Sequence, residues 1–229
     1  MKDIAFILYP GLTLLDLVGP LQVLNSMCER NPQFRTVVVG KDLDPVKVDV
    51  PLLLTPSATI QDIRSPSVVV VPGGAAGTIK AMGDEELLGY LKEVAESAEY
   101  VCSVCTGSLL LAAAGLLDGR EATTHWGCSR ILELLGAKYV RKRWVQDGKF
   151  FTSAGVSAGI DMALKLVSMQ ADEATARSVQ LGIEYDPEPP FGRIKWREVD
   201  RNQLLPYLRT QIKNHLSDKP ALISRLSDL

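Results

Sequence analysis

Four stretches of the chain, residues 3–9, 37–39, 68–71 and 100–104, are nearly unbroken runs of apolar side chains, without a polar residue returning at every second position. A strand that is apolar on both faces must be covered on both faces, which is the condition of a parallel sheet between two layers of helices. Between these runs, apolar residues recur at spacings of three and four over 17–28, 84–98, 108–114, 128–135 and 158–170, and that period predicts helices. The alternation of the two patterns predicts a doubly wound α/β fold with a mostly parallel sheet.

Two stretches depart from the alternation. In residues 143–153, Asp147-Gly148 separates two short alternating runs, which predicts a β-hairpin. Pro187, Pro189 and Pro190 cannot continue a helix, so the helical pattern running from 172 to about 185 must stop before them. Helix-compatible spacing resumes over 199–216. A chain of 229 residues without an internal linker is expected to form one domain over 1–191, with a helical tail over 192–229 packing on it or on a second copy. There is no internal repeat and no low-complexity segment.

Charge refines this picture. The formal net charge is −2, which gives no reason to expect nucleic acid or an anionic membrane as partner. Residues 193–229 nevertheless hold eight basic side chains against four acidic ones, a net charge of +4, and leave −6 on the rest. A basic tail on an acidic body is expected to pack onto that body or onto a second copy. The N-terminal sequence reads as a first strand and lacks a signal-peptide pattern, and no apolar run has the length of a membrane span. The four cysteines, Cys28, Cys102, Cys105 and Cys128, have no secretory context, so reduced thiols and a cytoplasmic location are expected.

Candidate chemistry concentrates where strands end. Residues 100–104 run directly into Cys105, Thr106 and Gly107, followed by a helical pattern. This is the sequence of a nucleophile elbow with cysteine at its tip, and a helix N-terminus facing the sulfur should favour the thiolate. Cys102 and Cys105 also spell C-x-x-C, but a spacing of three along a strand directs the two sulfurs to opposite faces, against a dithiol or zinc site. The run 68–71 ends in Pro72-Gly73-Gly74-Ala75, a turn whose backbone N–H groups suit an oxyanion hole; it lacks the spacing of a nucleotide-binding loop. Asp16, set among leucines after the first strand, reads either as an N-cap or as a proton carrier. Because ligands of parallel sheets bind beyond the carboxyl ends of the strands, Asp16, Gly73-Gly74 and Cys105 are expected in one cleft. His125, followed by Trp126, is either a partner for the thiol or a structural histidine fixed by the neighbouring threonine hydroxyls.

The motifs LDLVGP, VVPGG, SVCTGS, AAGLLDGR, ATTHW, GIDMAL and QLGIEYDPEPPF, spread over residues 14–191, resemble the ThiJ/PfpI superfamily and, within it, its isonitrile hydratase branch. That resemblance implies a flavodoxin-like sandwich of the class I glutamine amidotransferase type, a homodimer and no cofactor. It makes Cys105 the nucleophile, Asp16 the acid beside it and Thr106 a neighbour hydrogen-bonding in the site. Gly74 and Ala75 would lie on the glycine-rich loop. Val156 falls where the family has a larger aliphatic residue on the helix abutting the cysteine. The substrate- or oxyanion-binding set is then Gly73, Gly74, Ala75, His125, Trp126 and Val156, with no metal. The implied reaction is hydration of a small isonitrile to an N-substituted formamide. A glyoxalase or deglycase acting on aldehydes, or a cysteine-based redox or ligand sensor, is the alternative. An AraC-type regulator would need about a further hundred residues of helix-turn-helix units beyond Leu229.

Overall fold

In the computed structural model, which describes residues 1–229, the apolar runs become neighbours in one sheet. Strands β1 (Lys2–Ile7), β2 (Phe34–Gly40), β3 (Ala58–Thr59), β4 (Val68–Val71), β5 (Tyr100–Val104), β6 (Trp144–Asp147) and β7 (Phe150–Ser153) lie in the order β6-β7-β5-β4-β1-β2-β3. Every pairing is parallel except that of β6 with β7, which form the hairpin expected at Asp147-Gly148. The central strands are as buried as their composition demands: all four residues of β4 are inaccessible to solvent. Residues 46–47 with 53–54, and 121–122 with 138–139, make two further two-stranded ribbons.

Helices α1 (Leu14–Arg30), α2 (Ala75–Ala81), α3 (Glu85–Ser97), α4 (Gly107–Ala113), α5 (Ser129–Leu134), α6 (Ala158–Gln170), α7 (Glu173–Gly182), α8 (Leu205–Leu216) and α9 (Pro220–Arg225) cover the sheet. One layer holds α1, α6 and α7; α2, α3, α4, α5 and α8 pack among themselves in the other. Large apolar side chains such as Phe6, Leu24, Met27, Leu91, Leu109 and Phe151 are wholly enclosed between the layers, each contributing about 1.5–3 kcal/mol of transfer free energy. In the LDLVGP segment, Ile160 of α6 would lie 3.2 Å from a Cβ at Gly19, so a small residue there sets how closely α1 and α6 approach.

Three helix boundaries differ from expectation: the stretch 199–216 becomes helical only from Leu205, and the other two shifts have visible physical reasons. Helix α1 starts at Leu14, three residues earlier than its apolar period suggests, because Asp49 reaches across from the 46–54 ribbon and its Oδ1 accepts the Leu14 N–H at 3.0 Å. Helix α7 ends at Gly182, short of the prolines: Glu184 adopts a left-handed φ of 50°, and the chain leaves the helix there. The basic tail contributes two helices. Leu208, Ile212 and Leu216 of α8 are buried, and α8 packs on α2. Lys219 pairs with Glu85 at 3.0 Å, and the Arg225 guanidinium donates to the Leu135 carbonyl at 2.8 Å.

Candidate active site

Four adjacent strands, β7, β5, β4 and β1, end side by side, and Val156, Cys105, Gly73-Gly74 and Asp16 follow those ends, while His125 and Trp126 follow the short strand 121–122. After β5 the chain turns so sharply that Cys105 takes a left-handed φ of 55°, a conformation that costs a non-glycine residue about 1–3 kcal/mol. Its neighbours hold it there. The Cys105 N–H donates to the carbonyls of Ser153 and Ala154 at 3.1 and 3.0 Å. Its own carbonyl accepts from the Ser108 and Thr124 hydroxyls at 3.2 and 3.1 Å. Gly107 completes the elbow: a Cβ there would stand 2.0 Å from the Val71 carbonyl oxygen, so only glycine lets α4 lie against β4.

Asp16 is completely buried in the first turn of α1. It does not cap that helix; Thr13 holds the N-cap position, and the first N–H is satisfied by Asp49. Instead Asp16 Oδ2 accepts the Gly73 N–H at 3.0 Å, while Oδ1, equally buried, has no hydrogen-bond partner. Burial pushes this carboxyl up to about 7, against the pull of the Gly73 N–H and the Cys105 thiol beside it, with Asp49 adding a further upward push. The carboxyl therefore changes charge near neutral pH, next to a sulfur.

Gly73 binds the pieces together. A Cβ on it would fall 2.6 Å from Thr106 Oγ1 and 2.7 Å from Asp16 Oδ2, so no side chain fits between them. The Gly74 N–H donates to Thr106 Oγ1 at 3.0 Å. The N–H groups of Gly73 and Gly74, expected to be free as an oxyanion hole, are thus both turned to protein acceptors. The backbone N–H groups of Val156 and Thr106 instead pull the Cys105 thiol pKa down. Ala75, at the start of α2, has a left-handed φ of 39°.

The expected thiolate is corrected in the same way. Cys105 is only 6% exposed; burial and then the Asp16 charge push its thiol well above the ordinary cysteine range, and the Val156 and Thr106 N–H groups only partly offset this. Among its ionisable neighbours, Asp16 acts most strongly on the sulfur. Burial outweighs the short α4 helix, because removing a charge from water costs more than one helix end restores.

His125 forms no hydrogen bond with Cys105. Its Nδ1 accepts the Gly127 N–H at 3.3 Å, and its ring lies against Gly155 and, at 5.4 Å between centroids, against Trp126. The threonine hydroxyls do not fix it: Thr123 donates to the Lys142 carbonyl and Thr124 to that of Cys105. Burial lowers the imidazole pKa, so the ring is neutral. His125, Trp126 and Val156 are half-buried, at the β7 side of the elbow. Cys102, wholly buried within β5, and Cys105 are both free thiols. No group of three His, Cys, Asp or Glu side chains is placed to hold a metal ion, and no helix is long and apolar enough to cross a membrane.

Sequence reasoning missed two residues of this site, Tyr9 and Thr78. Their hydroxyls stand 2.9 Å apart, and Thr78 Oγ1 lies 2.8 Å from Thr106 Oγ1. Tyr9 closes the apolar run of β1 and Thr78 lies mid-helix, so nothing local distinguishes them from core; only the sheet order brings them to Thr106.

A mostly parallel flavodoxin-like sheet with a cysteine at a left-handed elbow and a buried carboxylate in the helix turn after a nearby strand defines a class of cysteine-elbow α/β proteins. The chain belongs to the DJ-1/PfpI family, whose model matches residues 2–169. An isonitrile hydratase of Pseudomonas putida is 47% identical over 189 residues, which cover 82% of this chain and 81% of that protein. The crystal structure of a ThiJ/PfpI family protein from Pseudomonas syringae superposes with a TM-score of 0.83 at 36% identity, covering 100% of this chain and 91% of the other. The transcriptional regulator CdhR of Pseudomonas aeruginosa is 28% identical over 93% of this chain and 62% of its own length.

Proposed function

We propose that the protein is an isonitrile hydratase, a lyase that adds water to R–N≡C and releases the N-substituted formamide without a cofactor. The likeness to the Pseudomonas putida enzyme over most of both chains supports this. The observation that carries the chemistry is the buried Asp16 carboxyl, one of its oxygens without a partner, beside the Cys105 thiol.

In this reading Asp16, ionised, takes the proton of the Cys105 thiol as the sulfur attacks the terminal isonitrile carbon and forms the C–S bond. The carboxyl then delivers that proton to the same carbon, giving the thioimidate R–N=CH–S–Cys105. A water adds to the thioimidate carbon, its departing proton passing through the Asp16 carboxylate to the nitrogen to give R–NH–CH(OH)–S–Cys105, whose hydroxyl proton Asp16 then carries to the sulfur. The C–S bond breaks, the formamide R–NH–CHO leaves, and the sulfur recovers its proton. One water is consumed and both side chains return to their starting state. The N–H groups of Val156 and Thr106 stabilise the sulfur while it carries charge. His125, Trp126 and Val156 shape the pocket for R, and Gly73, Gly74 and Ala75 hold Asp16 and Thr106 in place.

The protein acts as a cytoplasmic homodimer in this reading, with residues 192–229 as a helical tail on a 1–191 domain. Light scattering of the purified protein tests the dimer. The likeness to a transcriptional regulator supports a second reading, a ligand-sensing domain with an inert thiol. Turnover of a simple aromatic isonitrile by the wild type and Cys105→Ala, following formamide, separates the two: product from the wild type alone supports the hydratase, and product from neither supports the sensor.

A further inference from the structure

The hydroxyls behind the site form a chain in which every proton can be assigned. The Gly74 N–H donates to Thr106 Oγ1 at 3.0 Å. At the other end, Tyr9 Oη donates to the Pro72 carbonyl at 2.8 Å, which can only accept. The single Tyr9 proton is spent there, so in the 2.9 Å contact between Tyr9 and Thr78 the donor is Thr78. The single Thr78 proton is spent in turn, so in the 2.8 Å contact between Thr78 and Thr106 the donor is Thr106. Each hydroxyl carries one proton and accepts through its lone pairs, and this count leaves one arrangement. Tyr9, Thr78 and Thr106 are all buried, so water does not compete for these bonds. Burial also pushes the Tyr9 phenol far up, keeping its proton in place.

From this geometry we infer that Tyr9 and Thr78 are positioning residues that fix the polarity of the Thr106 hydroxyl, turning its proton away from Asp16 and Cys105 and leaving Thr106 in the site as a hydrogen-bond acceptor only. An acceptor there holds a proton-bearing species, the protonated Asp16 carboxyl or the attacking water, and cannot stabilise the Asp16 carboxylate by donating to it. The position matters because Thr106 Oγ1 and Asp16 Oδ2 flank the same point beside Gly73. With the Thr106 proton released, the Asp16 carboxylate on the far side of that point is the acceptor for it.

The inference deepens the hydratase reading and rests on it for turnover, so the test includes a readout that needs no substrate. The titratable groups facing Asp16 are Cys105 from the elbow, Tyr9 from the end of β1 and Asp49 from the ribbon; Cys128 faces Cys105 from the other side. The pH dependence of Cys105 alkylation by iodoacetamide, resolved by mass spectrometry, is measured beside formamide production for the wild type, Thr78→Val, Thr78→Ser and Tyr9→Phe. In Thr78→Val the Thr106 proton is freed to donate to Asp16. The acid limb of the alkylation profile should then move down by about half a pH unit or more. The value of kcat should fall roughly tenfold with KM little changed. Thr78→Ser should restore both, and Tyr9→Phe should give a smaller shift in the same direction. An acid limb that stays put in a folded Thr78→Val, or in Tyr9→Phe should the valine variant fail to fold, overturns the inference. A wild type that alkylates with this profile but makes no formamide overturns the hydratase reading alone.

Discussion

The carboxyl edge of the sheet and the C-terminal tail are built on opposite terms. At the edge, strained and polar groups are over-determined. Cys105 is held by four hydrogen bonds to its backbone, and glycines stand wherever a side chain would intrude between backbone segments. The tail is anchored at a few points. Residues 186–204 contain neither helix nor strand, and Phe191 and Ile194 are 99% and 62% exposed. Leu204 seats against Gly127, the α8 leucines against the body, and a cleft of about 340 Å³ remains between α9 and the α3 side. Precision therefore lies at the edge, so small changes there should alter chemistry; changes in the tail should alter stability in proportion to the apolar area they remove.

Substitutions that break this contrast can be ordered by size. Cys105→Ala should reduce formamide turnover to below about one-thousandth of wild type while the protein stays folded, since the attacking sulfur is removed. Gly107→Ala should destabilise the fold by more than about 4 kcal/mol in urea titrations, or prevent folding, because its Cβ would meet the Val71 carbonyl oxygen at 2.0 Å. In the tail, Leu216→Ala removes a wholly buried side chain and should cost about 2–5 kcal/mol with kcat unchanged in the folded fraction. Lys219→Ala breaks only an exposed ion pair with Glu85 and should leave both activity and the unfolding midpoint within experimental error.

Asp16 gives a further test through pH. Burial raises its carboxyl from the usual range near 3.8 to about 7 in the folded protein. The folded state then holds a proton that the unfolded chain has already lost. Stability from this group is therefore lost as pH rises between those two values, and the full cost is present above 7. Comparing urea unfolding of wild type and Asp16→Asn should give a difference that grows by about 2–4 kcal/mol, against the wild type, between pH 4 and pH 8. The same variant should lose turnover by about a hundredfold or more and lose the limb that Asp16 sets in the pH–rate profile.

How much of this could be read without coordinates varies from residue to residue. The elbow was legible because an apolar strand, a cysteine and a close-packing glycine are local signals within a few residues, and strands 68–71 and 100–104 and helix 158–170 fall where their periods place them. Asp16 was ambiguous, since an acid in the first turn of a helix reads as a cap until Asp49 is seen to occupy that role from a distant ribbon. The thiolate expectation took account of the helix end but not of the depth of burial, which pushes the thiol the other way. Tyr9 and Thr78 carried no signal, since one ends an apolar strand and the other lies mid-helix.

What the amino-acid order determined by itself was the class of fold and the placing of a cysteine at its elbow, because hydrophobic period and turn chemistry act over a few residues. Only the tertiary structure decided how deeply Asp16 and Cys105 are buried, which N–H groups remain for the sulfur, and which way the Thr106 proton points. Those depend on strands far apart in the chain lying side by side, and on burial, which sets the energy of every charge and hydrogen bond at the place where they meet.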